Sequence, residues 1–274
     1  MWNPVIQFWH GRPLGRIERL SLASFVAQGH EVRLYSYGPL ERVPRGVQCV
    51  DAREILPEKR LYFDTRHGSW AQFSDIFRFE ALRKLGGLWA DSDMIALRPI
   101  EKAHEVLIVR ESRSQLASAL VGIPAGHPLA RRLVWGVQHP WLPHRHDPWK
   151  VRLQKTARLV RREPPPPIGW ADLGPKLLTQ VVADMGLMHL VEPTHNYLPY
   201  AWSDPVTLPF EPPTLEFMAA VMRSKTVHMW QYMIDRAGLD ADAAFAENSL
   251  FETWWRRFQP DASSPFQPPE TGTA

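Results

Sequence analysis

Four side chains between positions 75 and 93 carry most of the chemical potential of this 274-residue chain: Asp75, Arg78, Asp91 and Asp93. Asp75 and Arg78 are three apart, so on a helix they share a face. Gly86-Gly87 then stops that helix, and Leu88-Trp89-Ala90 reads as a short buried strand that delivers Asp91 and Asp93 at its carboxyl end. In α/β sheets ligands bind beyond the carboxyl ends of strands. Residues two apart in an extended segment point the same way, and two carboxylates aimed together repel unless a cation or proton lies between them. A hard divalent ion completed by water and phosphate oxygens satisfies that arrangement, and it can neutralise a departing diphosphate as a Lewis acid. A bare Asp-x-Asp also suits a turn or a solvated edge, so the surrounding elements must discriminate.

Those elements are legible from periodicity. Val5-Ile6-Gln7-Phe8-Trp9 is a short apolar run after Pro4 and predicts a buried first strand. Gly11, Pro13 and Gly15 form a turn, and apolar residues at Ile17, Leu20, Ala23 and Val26 predict a helix over 16–28 closed by Gly29. Residues 31–37 alternate as a second strand, which makes the opening of an α/β unit. Another short strand is expected over 47–50. Residues 69–85 form the clearest helix, with Ser69 and Gln72 expected as a capping box and Gly86-Gly87 as the C-terminal stop. Further strands are expected over 105–109 and 116–123, and helices over 127–138, 149–162, 173–185 and 241–258. Pro164 to Pro167 is a stiff connector. The stretch from Pro260, rich in Pro, Ser and Thr, is expected to be disordered. The reading is one domain over 1–259 with a helical insertion about 140–170, followed by a disordered tail over 260–274.

The segment from Ser74 to Asp93 resembles a known family: the bacterial and fungal sugar transferases that carry the DXD sugar-binding region, related to the large clostridial glucosylating toxins and the α-1,4-glycosyltransferases. Their pattern is Ser-Asp-x-x-Arg, Leu, a Gly pair, an aromatic and Asp-x-Asp. This chain matches it at Ser74, Asp75, Arg78, Leu82, Gly86, Gly87, Trp89, Asp91 and Asp93. The resemblance implies a GT-A fold, an α/β Rossmann-like nucleotide-binding domain whose mixed sheet is flanked by helices. It implies a retaining hexosyl transfer from a nucleotide-diphosphate sugar (UDP- or GDP-linked) assisted by Mn²⁺ or Mg²⁺. By that analogy Asp75 and Arg78 bind donor-sugar hydroxyls, Asp91 meets the ribose or sugar, and Asp93 holds the metal; Arg78, Asp91 and Asp93 form the catalytic group.

Two outlying segments extend the resemblance. Ile6-Gln7-Phe8-Trp9-His10-Gly11 is similar to the family's opening strand, after which an aromatic stacks on the nucleobase; Trp9 is the candidate, and core packing is the alternative. Val227-His228-Met229-Trp230 is similar to the late element that closes over the diphosphate. His228 there could ligate the metal through a neutral imidazole, and Trp230 could donate its indole N–H to a phosphate oxygen. Gly122 to Pro128 and Gly174-Pro175 look like two scaffold turns of the family. Ala117-Ser118-Ala119 replaces an Asn-bearing segment, which removes one amide contact to the sugar.

Composition narrows the partners. The chain is 45% hydrophobic with 12 Trp and 12 Phe, enough for a sizeable core, and 20 of its 26 prolines follow residue 120. The net charge of +3 does not require a nucleic-acid partner. Arg supplies 25 of the 32 cations, which suits bidentate recognition of phosphate or carboxylate. A single cysteine, Cys49, allows no internal disulfide, and the N-terminal residues lack a signal-peptide pattern, so a cytoplasmic setting is expected. Arg152, Lys155, Arg158 and Arg161 make residues 149–162 a basic amphipathic helix. It suits either a peripheral membrane contact, where lipid-linked acceptors reside, or packing on the domain. His139, His144 and His146 fit no zinc spacing, and neither a GxxxxGK[ST] loop nor a GxSxG elbow is present. The acceptor is expected to be a glycan, a lipid-linked sugar or another hydroxyl. The alternative to an enzyme is a non-catalytic nucleotide-sugar or glycan-binding module that keeps the fold.

Overall fold

The structure, a computed structural model, describes residues 1–261 and 263–266. Its strands are β1 (Val5–Phe8), β2 (Val32–Ser36), β3 (Leu40–Pro44), β4 (Val47–Asp51), β5 (Gly87–Ala90), β6 (Met94–Ala96), β7 (Leu107–Arg110), β8 (Leu116–Ile123), β9 (Val191–Glu192), β10 (Thr226–His228) and β11 (Ser263–Phe266). Its helices are α1 (Arg16–Ala27), α2 (Ala71–Leu85), α3 (Pro128–Gln138), α4 (Trp149–Arg161), α5 (Pro175–Asp184), α6 (Leu215–Arg223), α7 (Gln231–Arg236) and α8 (Leu250–Phe258). Seven strands form one mixed sheet in the order β4-β2-β1-β5-β8-β7-β9. Only β8 runs against the rest, pairing antiparallel with both β5 and β7. The chain is therefore α/β with helices on both faces of a mixed sheet, as the sequence predicts. No described helix is long and apolar enough to cross a membrane.

The strand period explains the layering. Ile6 and Phe8 point to one face, where they join Phe73 and Phe77 of α2, Leu129 and Leu133 of α3, and Leu177 and Leu178 of α5. Val5 points to the other, with Leu22 and Phe25 of α1. The same alternation sends Trp89 to the α2 face and Leu88 and Ala90 to the α1 face. The rings of Phe8 and Phe77 stack at 4.6 Å, fixing α2 over β1. A third core lies beyond the outer side of α1, where Ile17, Leu20 and Ala23 meet Phe217 of α6, Ile234 of α7 and Phe251 and Trp254 of α8. Arg16 ties α8 to α1 with two hydrogen bonds to Glu252, at 2.9 and 2.8 Å.

Several expectations are corrected. The expected capping box at the start of α2 is absent: Trp70 is the N-cap without a side-chain bond, and Ser69 Oγ accepts instead from the Ala71 N–H at 3.1 Å. The helix expected over 241–258 begins only at Leu250, because Ser249 caps it by accepting from the Glu252 N–H at 3.2 Å. Residues 40–44, for which no strand was expected, form β3. Within the stretch expected to be disordered, Ser263–Phe266 pairs antiparallel with β3; 262 and 267–274 lie outside the described residues. α6, α7 and the antiparallel pair β6·β10 were not anticipated.

Candidate active site

The site starts from a glycine pair. Gly86 and Gly87 both hold positive φ, 64° and 107°. A Cβ on Gly86 would lie 2.2 Å from the Ala125 backbone nitrogen, and one on Gly87 2.4 Å from the Pro4 carbonyl oxygen. Glycine is required here by both conformation and space. The turn converts α2 into β5, which lies parallel to β1 with Ile6 opposite Trp89. Asp75 and Arg78, one turn apart on α2, therefore approach the residues that follow β5.

Arg78 is buried and bridges two carboxylates: Nη1 donates to Asp75 Oδ1 at 2.8 Å and Nη2 to Asp91 Oδ1 at 2.7 Å. The Trp89 indole N–H donates to the same Asp91 oxygen at 2.6 Å, and the guanidinium carbon sits 5.1 Å from the Trp89 ring centroid. Burial pushes the Asp75 carboxyl up to about 7, with Arg78 opposing and the Asp91 charge adding to the rise. A Cβ on Gly174 would come within 2.5 Å of Asp75 Oδ1, so the turn before α5 closes over this carboxylate.

Asp91 and Asp93 do not lie on one extended strand. The Met94 N–H donates to the Asp91 carbonyl at 3.0 Å, closing a turn, and the Asp91 N–H donates to Ala119 at 2.8 Å. The simple alternation predicted for the pair is thus incorrect, but the carboxylates still converge. Ligand atoms of Asp91, Asp93 and His228 all lie within 4.8 Å of one another. β10 brings His228 there by pairing with β6, where His228 sits opposite Met94. His228 Nε2 is 3.2 Å from Asp93 Oδ2, which also accepts from the Gln231 N–H at 2.9 Å. Burial alone would lower the His228 pKa, but Asp93 together with the charges of Asp91 and Glu111 more than offsets it and the net shift is upward. Asp93 is shifted downward: burial opposes its charge, and His228 with the Gln231 N–H wins.

Trp230 follows in the left-handed conformation at φ 56°, its ring 3.8 Å from that of His228. His228 Nδ1, Trp230 Nε1 and Arg78 Nε are buried without a hydrogen-bond partner among the described residues. Buried polar atoms are seldom left so, and here they gather at one site. Trp9 leaves β1 at the same sheet end as Asp91. Its indole donates to the Arg12 carbonyl at 2.7 Å, and the Arg12 guanidinium lies 5.1 Å from its ring centroid. It is half-buried, with part of the ring packed against the core.

Sequence reasoning missed four contributors. Gln7 reaches Asp91 O at 3.4 Å while donating to Ser21 Oγ at 2.9 Å. Trp89, part of the motif, was given no role of its own. Glu111 has its carboxyl pushed up by burial, with the charges of His228 and Asp91 acting on it. It follows β7, which runs the same way as β5, so the carboxyl-end rule could have found it. Tyr200 has a buried hydroxyl without a partner among the described residues, and burial and the Asp93 charge both raise its pKa; no local signal marks it. A cavity of about 560 Å³ lies elsewhere, beneath α4, and none of its lining residues belongs to this cluster.

No family model and no curated protein matches the chain. Among solved structures it is similar to one titled PaToxG Glycosyltransferase, at 13% identity and a TM-score of 0.43, over 95% of this chain and 88% of that one.

Proposed function

We propose that this chain is a retaining glycosyltransferase of the GT-A type that takes its sugar from a nucleotide-diphosphate donor with the help of a divalent metal. The observation that carries the reading is the convergence of Asp91, Asp93 and His228 beside the buried Asp75–Arg78–Asp91 bridge. The residues fit a metal. Two carboxylates and an imidazole form a mixed oxygen and nitrogen set that suits Mn²⁺ better than Mg²⁺, which prefers oxygen alone. The unpartnered Trp230 indole N–H suits a phosphate oxygen. Asp93 and His228 would hold the ion, with Asp91 as a third neighbour. When bound, it supplies positive charge to the departing diphosphate.

The chain's own residues do the rest. Arg78 holds Asp75 and Asp91 in fixed positions, so their free oxygens can accept donor hydroxyls without reorganisation. Trp9 offers the remaining ring surface to a UDP or GDP base, and Trp230 donates to the diphosphate. We assign no side chain the role of nucleophile, and front-face displacement needs none. The acceptor hydroxyl then forms the new glycosidic bond as the sugar–phosphate bond breaks, and its proton passes to the leaving phosphate oxygen. A glycan, a lipid-linked sugar or another hydroxyl is the acceptor class, in a cytoplasmic setting.

The test is release of free nucleoside diphosphate from a panel of UDP- and GDP-sugars with Mn²⁺. One donor should be consumed, and Asp93→Asn should slow its consumption by roughly a hundredfold or more. If no donor is consumed with or without acceptors, and Asp93→Asn leaves donor affinity unchanged, the reading fails. Mn²⁺-dependent donor binding without turnover would instead identify a binding module that keeps the fold.

A further inference from the structure

Helix α4 turns an apolar stripe away from its own domain. Trp149, Leu153 and Val160 are 66%, 62% and 77% exposed. At 3.6 residues per turn they fall within about 40° of one another around the axis. The opposite side carries Val151, Gln154, Lys155 and Arg158, all of which line the cavity between α4 and the body. No residue of the helix is buried. The apolar stripe faces out, while the side toward the cavity is mixed, with Val151 and Leu159 beside Gln154, Lys155 and Arg158.

Charge marks what the stripe meets. Residues 149–162 hold six of the chain's 32 cations and none of its 29 acids, leaving 26 cations against 29 acids elsewhere. Lys155 is neutralised by Asp147 at 2.9 Å, and Arg161 faces Glu163 at 3.7 Å. Lys150, Arg152, Arg158 and Arg162 have no carboxylate partner among the described residues. By the same angular count Arg152 flanks the stripe on one side, and Lys150 and Arg161 flank it on the other. An exposed apolar stripe containing Trp, bordered by cations, is the pattern of a helix lying in a lipid interface. Pairing two copies through the stripe would bring two strongly basic helices together, which like-charge repulsion opposes. A nucleic-acid surface would leave the apolar stripe uncovered.

We propose that α4 docks the protein on an anionic lipid surface, with Trp149, Leu153 and Val160 entering the interface and Lys150, Arg152 and Arg161 facing the headgroups. This stands independently of sugar transfer. The experiment is flotation of the full chain with phosphatidylcholine vesicles, with and without phosphatidylglycerol. The protein should float with the mixed vesicles only, and less at high salt. Trp149→Ser/Leu153→Ser should weaken binding by roughly tenfold or more. Arg152→Glu/Arg161→Glu should remove the preference for phosphatidylglycerol. Both double variants should melt with the parent, since the helix buries no side chain, and Asp93→Asn should float like the parent whatever its activity. Three results would overturn the proposal: flotation indifferent to phosphatidylglycerol or to the Trp149/Leu153 change, self-association in light scattering that this change abolishes, or retention on duplex DNA that it leaves intact.

Discussion

Arg78 couples the two parts of the candidate site, because one guanidinium satisfies Asp75 on α2 and Asp91 after β5. Only a planar, forked donor can reach both oxygens at once. Arg78→Lys should keep one bond and lose the other, lowering the melting temperature and the donor affinity together. Arg78→Met should be worse, at about 3–5 kcal/mol, because it leaves buried carboxylates without a counter-charge; chemical denaturation of both variants checks the order. Glu18 offers a separate residue-scale test. It accepts from the Gly15 N–H at 2.8 Å and sits 3.2 Å from Arg12, yet burial outweighs both and raises its pKa from 4.5 to about 7. Since the folded value is the higher one, the stability it contributes is complete below pH 4.5 and is lost as pH rises through 7. Urea titrations at the two ends of that window should differ by on the order of 2–3 kcal/mol from this residue. Glu18→Gln should remove that part of the slope.

At the scale of elements, the Gly86-Gly87 turn is what carries Asp91 back toward Arg78. Gly86 and Gly68 have nearly the same φ, 64° and 63°, but a Cβ on Gly68 meets nothing within 4 Å. Gly68→Ala should therefore cost about 1 kcal/mol, the conformational penalty alone. Gly86→Ala adds a collision with backbone at 2.2 Å that no rotamer change relieves, and should prevent folding or lower the melting temperature far more. Thermal melts of the two variants separate conformation from space. That turn was readable because its glycines follow a long apolar helix, and β8 was readable at both ends because its eight residues form one buried run. β6 and β10 were not, since three residues each are too few to show a period, and their pairing joins positions more than 120 apart. The site inherited this asymmetry. Asp75, Arg78 and Asp91 follow from local spacing, whereas the meeting of His228 with Asp93 depends on that distant ladder, and only the family resemblance pointed to it. The start of α8 could have been read better, because Ser249-x-x-Glu252 is a capping signal lying inside the segment taken as continuous helix.

Across the whole molecule, the two parts of the site rest on different cores. Asp75 and Arg78 stand on α2, which is seated by the aromatic core of Phe8, Phe73, Phe77 and Trp89 together with α3 and α5. Asp93 and His228 stand on the β6·β10 pair, whose Ile95 and Val227 belong to the core that α1 shares with α6, α7 and α8. A cavity in either core should cost similar stability but act on a different half of the site. Phe251 and Leu133 are both fully buried, one in each core. Phe251→Ala should cost about 3–5 kcal/mol and Leu133→Ala about 2–5 kcal/mol. Isothermal titration of the folded proteins with Mn²⁺ should then separate them. Phe251→Ala loosens the support of α1 and β10, so Mn²⁺ affinity should fall, while Leu133→Ala should leave it near the parent value. Equal losses of Mn²⁺ affinity would mean that the sheet transmits packing defects across both faces and that the site is one rigid unit. A loss confined to Phe251→Ala would mean that the small ladder positions Asp93 and His228 independently of the sheet that positions Arg78.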